Sequence, residues 1–584
     1  MTPPDRLRTL LLAGALLALT LAAHAPGLDG AFVYDDIGEV RDNEALDVLW
    51  PPSTAMFTGG RLPHRPLPYY SFALNRRLNR GLGLDAADVR SFHVVNLAIH
   101  VANGLLVWWL VAVSLVDFQG WTDRRRALVA GWGAALVWLV HPLVTQPVTY
   151  IYQRMELLGA LAILGTLAAF AQAQRAGGGA GRWLCASVAC CAAGMGCKET
   201  VVAAPALVAA FDRLVVGTPL REMARRRFLF YAALAATPAI AVAIVVAQRA
   251  RYPELTTNRV TWWEYALNQP AVILHYLRLA AWPADLCFDY DWPVERDPRA
   301  LWPSLLGLGV LLGAGAAALC RRPAAGFLGL GFLVTLAPTS SVMPVTHLCV
   351  EHRMYLPLAF LATAAVLGLD RLVGRLAVRI EGPALVAAAA VAAAAALGAA
   401  TAQRADVYRS RVAVWAAAVR HDPGNPRAVA AVGEALYWRG DVSAALFAYE
   451  RSAEIEPAAP APHVGRAACL LRLGRPAEAV APARRAIALD PARLDAHLML
   501  GEALLGSGAA AAAAAAAREA LEIDAVAPAA WVLLGRAALD AGDRSAAEAA
   551  IGEALRLDPH NAEARASLAA VTRTKAGGGG RRSP

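Results

Sequence analysis

Lysine is almost missing from this chain. Lys198 and Lys575 are the only lysines among 55 basic residues, so arginine carries the net charge of +9. No stretch interleaves basic and aromatic residues as a nucleic-acid surface would, and the excess reads as membrane topology. Cysteine is sparse. There are eight, none in a CxxC, and Cys185, Cys190, Cys191 and Cys320 lie inside apolar runs. That excludes a disulfide framework and leaves small apolar filler. Neither HxxH nor HExxH occurs, which removes the ordinary zinc spacings and predicts no metal centre of that kind.

What the chain has in quantity is apolar length. Over 584 residues it is 57% hydrophobic, with a mean hydropathy of +0.43. Most apolar blocks run near the length that crosses about 30 Å of hydrocarbon. Eleven spans are expected, at 7–25, 92–116, 127–145, 157–173, 183–196, 201–216, 228–248, 302–320, 325–343, 354–370 and 383–402. The first carries the Arg6 and Arg8 flank of a signal peptide. It reads as an uncleaved helix, because many further spans come after it. Segment 270–283 is short and contains His275 and Arg278. It reads as an amphipathic helix at the outer surface or a re-entrant piece.

Arginine clusters fall in alternate connections: Arg6 and Arg8; Arg124, Arg125 and Arg126; Arg175 and Arg182; Arg213 through Arg227; Arg321 and Arg322; Arg371, Arg375 and Arg379. The positive-inside rule places these in the cytoplasm, with the N-terminus. Loops 26–91 and 249–300 and the polar turns at 141–158, 197–200 and 346–357 then lie outside. The expected location is the cell (inner) membrane, with the chain beyond residue 403 outside the cytoplasm.

After residue 403 a period appears. Asp422, Glu456, Asp490, Asp524 and Asp558 are 34 residues apart, and Gly440, Gly474, Gly508 and Gly542 keep the same step. So do Ala445, Ala479, Ala513 and Ala547. This is the tetratricopeptide pattern, with the glycine in the turn and the alanines where helices cross. Four repeats are expected over about 424–559, after a helix near 404–421 and before a terminal helix at 560–573. Residues 574–584 have nothing to bury and read as a disordered tail. The expected fold is all-α: a polytopic membrane domain, 1–403, then a tetratricopeptide α-solenoid, 404–573, whose concave face suits a protein or peptide partner.

The polar turns carry the candidate chemistry. Asp35 and Asp36 stand just beyond the first span. A carboxylate there can take a proton from an attacking hydroxyl, and a second can orient it, raise its basicity or hold a divalent cation. Three turns each place one base near one acid: Arg154 with Glu156, Lys198 with Glu199, and Arg353 with Glu351. They are either three ion pairs or a set converging on an anionic ligand such as a lipid phosphate. His141, His347 and His352 lie on the same side.

Taken in order, "FVYDD" (32–36), "RPL" (65–67), "SFHVVNLAIHVANGLL" (91–106), "HPLVTQPVTYIYQRMELL" (141–158), "CKE" (197–199), "FDYDWP" (288–293) and "EHRMYLP" (351–357) end in the same repeats. Together they resemble the transmembrane and tetratricopeptide-repeat O-mannosyltransferases of the GT-C glycosyltransferase superfamily. The resemblance implies inverting transfer of mannose or a similar sugar, from a polyprenyl-phosphate donor to a Ser or Thr hydroxyl of protein, on the non-cytoplasmic face. By position it implies Asp35 as the base and Asp36 as its neighbour. Arg154, Lys198, Arg353 and Arg65 become donor-phosphate ligands, with Glu156, Glu199, Glu351 and His141 in support. One departure is Gln153, where relatives often have glycine. The competing reading is a non-catalytic envelope scaffold that presents the repeats. A transporter is disfavoured, because the charges sit at helix ends and no two matching broken halves are visible.

Overall fold

The computed structural model describes residues 3–57, 65–251, 260–341, 347–375 and 382–577. Among them there is no strand. The chain forms two compact units, Met1–Val414 and Trp415–Pro584. This boundary falls later than the change in composition, because residues past the last apolar helix are tied into the first unit. Ala31 N–H donates to Tyr408 O at 2.9 Å, and Arg409 pairs with Asp29 at 3.3 Å.

The first unit is built on α1 (Pro3–His24), α2 (Pro66–Gly81), α3 (Val89–Val113), α4 (Arg124–Leu139), α5 (Arg154–Arg175), α6 (Ala180–Gly194) and α7 (Ala204–Phe211). It continues with α8 (Phe228–Ala236), α9 (Pro238–Arg251), α10 (Trp262–Ala281), α11 (Pro298–Arg321), α12 (Pro323–Leu336), α13 (Tyr355–Arg375) and α14 (Gly382–Val407). Among the described residues, seven stretches are long and apolar enough to cross a membrane: 6–29, 89–118, 151–175, 228–247, 298–321, 351–375 and 382–407. The protein is a multi-pass membrane protein. The span expected at 127–145 is α4 with the segment 142–149, bent by 59°. Those expected at 183–196 and 325–343 are the shorter helices α6 and α12, of 15 and 14 residues, and that at 201–216 is α7 flanked by a 3-10 turn, Glu199–Ala203, and a π-helical turn, Asp212–Val216. At 1.5 Å per residue α6 reaches about 22 Å, short of about 30 Å of hydrocarbon. Among the described residues, seven segments, or eight with the bent pair, meet the requirement of length and composition.

Close packing rests on small residues, as membrane helices need. A Cβ at Gly131 of α4 would lie 2.8 Å from the Trp108 carbonyl oxygen of α3. The segment read as amphipathic from 270 begins earlier, at Trp262, behind a capping box formed by Thr261 and Glu264. Its face of Tyr265, Gln269, Val272 and Tyr276 is buried in the unit. The two ends of the bundle differ in charge. Arg175 ends α5 and Arg375 ends α13, whereas the polar turns 150–154 and 351–354 begin these same helices.

The second unit is a row of helix pairs: Pro426–Arg439 with Val442–Ile455, Pro460–Arg472 with Pro476–Leu489, Leu494–Gly506 with Ala510–Ile523, and Pro528–Asp540 with Arg544–Leu557. Gly440, Gly474, Gly508 and Gly542 adopt φ of 94°, 73°, 80° and 82° in the turns. Left-handed backbone costs other residues about 1–2 kcal/mol there. The periodic alanines are fully buried. The alanine-rich run is helix, as expected. The last helix, Ala562–Gly577, extends beyond 573, and residues 578–584 of the expected tail lie outside the described set.

Candidate active site

Helix α1 ends at His24, and a 3-10 turn, Ala25–Asp29, leads the chain off it. Gly30 passes between the Gly27 carbonyl and the His93 ring, where a Cβ would come within 2.9 Å of both. Tyr34 then adopts a φ of 51°, a strained value for a residue with a side chain. The two carboxylates after it part company. Asp36 is fully buried. Its oxygens accept hydrogen bonds from Val33 N–H at 2.9 Å and Tyr152 N–H at 2.7 Å. Burial pushes its carboxyl well above the usual carboxylate range, against the pull of these two donors. Asp35 is half-buried. Its Oδ2 accepts from the Tyr150 hydroxyl at 2.7 Å, and its own N–H donates to that hydroxyl oxygen at 3.3 Å.

Backbone N–H groups take both Asp36 oxygens, so a divalent cation at this pair would rest chiefly on Asp35. Among the described residues, no group of three or more His, Cys, Asp or Glu is arranged to hold a metal ion.

An aromatic wall lies beside Asp35. The Phe288 ring stands 5.2 Å from that of Tyr150 and 6.4 Å from that of Tyr34. The "FDYDWP" segment is thereby brought to the "YDD" loop. The same segment supplies Tyr290, which donates to Glu351 at 2.9 Å. Glu351 is fully buried and pairs with Arg404 at 3.5 Å.

The basic residues form a second group. Lys198 pairs with Glu156 across two turns, both nearly inaccessible. Burial pulls the Lys198 ammonium below its ordinary value, and Glu156 holds it up. Arg65 donates to both oxygens of Glu199 at 3.1 and 3.2 Å. Burial opposes its charge, but Glu199 lifts the guanidinium above its ordinary value. Leu67 N–H donates to Gly196 O at 3.1 Å, which docks "RPL" on "GCKE". Arg353 donates to Tyr265 Oη at 3.1 Å and to the carbonyls of Leu348 and His347 at 2.8 and 2.5 Å. The charges of Lys198, Arg353 and Arg65 all act on the His352 ring. The His352 Nδ1 is buried without a hydrogen-bond partner among the described residues. A small cavity here is lined by Glu156, Thr200, Thr335 and Arg353. The Tyr152 hydroxyl lies under the influence of both Arg65 and Asp35 and so links the two groups.

Three expected residues go elsewhere. Arg154 is fully buried away from this cavity. Its guanidinium donates to Asn96 Oδ1 at 2.7 Å, Asn75 Oδ1 at 2.9 Å, Phe92 O at 3.1 Å and Ser71 O at 3.3 Å. It also stacks 4.6 Å from the Phe72 ring. His141 Nε2 meets Ala280 O at 3.1 Å, and its Nδ1 accepts from Leu143 N–H at 3.2 Å. Glu351 serves Arg404 rather than Arg353. None of the three ion pairs expected from sequence proximity forms as read. The partners are Lys198–Glu156, Arg65–Glu199 and Arg404–Glu351.

The model of the tetratricopeptide repeat matches residues 528–561. Human protein O-mannosyl-transferase TMTC4 (Homo sapiens) is 27% identical over 496 residues, covering 74% of this chain and 64% of that protein. The chain is related to the transmembrane and tetratricopeptide-repeat O-mannosyltransferases. The TMTC4 of Mus musculus is 26% identical over 58% of this chain and 53% of its own length. TMTC3 of Mus musculus is 24% identical over 27% of this chain and 16% of its own. The chain thus matches less than two thirds of the length of these curated relatives. Among solved structures, that of YrrB, a TPR protein with an unusual peptide-binding site, aligns with 28% of the chain at 18% identity and a TM-score of 0.25.

Sequence reasoning missed Tyr150, Tyr152, Asn96, Asn75, Tyr265 and Arg404. Only Tyr150 and Tyr152 carried a signal, as alternate tyrosines directly before Arg154. Because the Arg154 donors are spent inside the protein, Arg154→Ala is expected to destabilise by on the order of 2–5 kcal/mol through the cavity and orphaned amides it leaves. Arg154→Lys should recover only part of this, since lysine lacks the planar fork. Thermal unfolding of the purified variants checks both.

Proposed function

We propose that this protein is a membrane glycosyltransferase. It moves mannose or a similar sugar from a polyprenyl-phosphate donor to a Ser or Thr hydroxyl of a protein, on the non-cytoplasmic face. The observation that carries the reading is the occurrence of a half-accessible Asp35 carboxylate, held by Tyr150, beside a buried Lys198–Glu156 pair whose cavity Arg353 also lines. Charges buried at the end of a membrane bundle are costly and need a role. The names of the relatives support the reaction class.

In this mechanism Asp35 takes the proton of the acceptor hydroxyl as the acceptor oxygen bonds to the sugar C1. The bond from C1 to the phosphate oxygen breaks on the opposite face, so the configuration inverts. Polyprenyl phosphate leaves with the bonding electrons, and Lys198, Arg65 and Arg353 balance its charge. Asp36 positions the loop and does not touch the reactants. The second unit binds the acceptor or another protein partner. The arginine-rich helix ends face the cytoplasm under the positive-inside rule, which leaves the site and the repeats outside. A reporter active only outside the cytoplasm, fused after residue 403, is expected to be active. Activity of a cytoplasmic reporter there would reverse the sidedness.

Two sets of variants test the chemistry. Asp35→Asn keeps the shape but cannot take the proton, so sugar transfer from a polyprenyl-phosphate mannose donor should fall about 10²–10⁴-fold with normal folding. Full activity in that variant would remove the base. Lys198→Ala alone strands the Glu156 charge and should destabilise the protein. Lys198→Met with Glu156→Gln should restore the melting temperature yet leave donor affinity roughly tenfold or more weaker. Normal donor binding by the stable double variant would assign Lys198 to structure only.

A further inference from the structure

One cleft in the membrane unit lies apart from the candidate site. It encloses about 140 Å³ and is bounded by α3, α5, α7, α12 and α13. On α13 its wall is a continuous stripe, Leu356, Phe360, Thr363, Leu367 and Arg371, at steps of three or four residues. From Leu356 to Arg371 this stripe runs about 22 Å. The body is apolar. The polar lining gathers at one end, where Ser114, Gln119 and Trp121 meet Arg371.

That end also carries charge. The neighbouring Asp370 is nearly inaccessible and already accepts two hydrogen bonds from Arg126, each 2.8 Å. Arg126 also packs 5.0 Å from the Trp121 ring. Arg371 is exposed and enters no ion pair among the described residues. Helix α12, whose Ala324 and Ala325 line the cleft, starts there, so the positive end of its dipole adds to the field.

We propose that this cleft is a binding site for an anionic glycerophospholipid, with one acyl chain in the apolar body and the phosphate at Arg371. A basic pocket between membrane helices at an arginine-rich surface suits such a headgroup. The sugar donor is a poor occupant. Its phosphate belongs with Lys198 and Arg353, and about 24 Å of helix separates Tyr355 from Arg371. The two polar ends therefore belong to opposite leaflets. The cleft reaches Leu356, which also lines the cavity of Glu156 and Arg353. A bound chain thus supports the floor of the candidate site from beneath. The inference needs only a multi-pass membrane protein and stands apart from glycosyl transfer.

The test is native mass spectrometry of the full chain released from detergent, titrated with phosphatidylglycerol or with phosphatidylcholine of the same acyl chains. The wild type should retain phosphatidylglycerol with roughly tenfold preference, the effect of one charge-assisted contact. Arg371→Gln should abolish the preference, whereas Arg375→Gln, outside the cleft, should keep it. Ala325→Trp should lower occupancy by both lipids at an unchanged melting temperature. Equal retention of the two lipids by the wild type, which is the behaviour of bulk lipid, overturns the proposal. So does an unchanged preference in Arg371→Gln, which lies on the surface and tests the site even if Ala325→Trp fails to fold. Displacement of phosphatidylglycerol by undecaprenyl phosphate also overturns it, because the cleft would then hold the donor tail.

Discussion

The carboxylate of Asp36 receives one hydrogen bond from each side of the candidate site. Val33 N–H comes from the loop after α1, and Tyr152 N–H comes from the turn before α5. A fully buried carboxylate tolerates few alternatives, since an unmade hydrogen bond to it costs about 1–3 kcal/mol or more. The loop is therefore held against residues 150–152, and Tyr150 comes within reach of Asp35. The outward direction of Asp35 follows from the inward direction of Asp36. The two adjacent acids share no task. One spends its charge on holding the backbone, and the other keeps its carboxylate half-accessible.

The same economy governs the basic residues. At the end of a membrane bundle the surroundings are too apolar to leave a charge alone, and too crowded for water to screen it. Lys198, Arg65 and Arg404 each find a carboxylate, while Arg154 and Arg353 are satisfied by neutral oxygens. These are different outcomes for ligand binding. A guanidinium wrapped by two asparagines and two carbonyls commits four of its five N–H donors to the protein. An ammonium in a pair can share its charge with an incoming anion. Glu156, the partner of Lys198, lines the small cavity together with Arg353, and Arg154 does not.

Charge is divided along the length of the helices as well. The ends of α5 and α13 that carry Arg175 and Arg375 lie a full helix away from Arg154 and Arg353, which stand at their starts. Both surfaces are basic, but differently: one by exposed arginines, the other by buried cations with partners. The cleft between α3 and α13 spans much of the distance between them. The proposed lipid site at the one surface and the proposed chemistry at the other are thereby set against the same helices.

Much of this protein was legible in its sequence, because it depends on local pattern. Apolar length marks membrane helices whatever they pack against, as at 382–407. A period of 34 marks the repeats, since each glycine serves its own turn and each alanine its own crossing. The order of the polar pieces carried the resemblance to the family. What the sequence could not determine was which charge meets which. Arg154 and Glu156 are two apart, Lys198 and Glu199 adjacent, and Glu351 and Arg353 two apart. Residues at those separations do not face one another on a helix, so nearness in the chain points such side chains apart. Their partners come from other segments: Asn96 for Arg154, Glu156 for Lys198, Arg404 for Glu351. The packing of α3, α5 and α14 brings them together, and only the tertiary structure decides it. The same holds for the two aspartates, whose roles differ because Tyr150 and Tyr152, more than a hundred residues away, reach one carboxylate with a hydroxyl and the other with a backbone N–H.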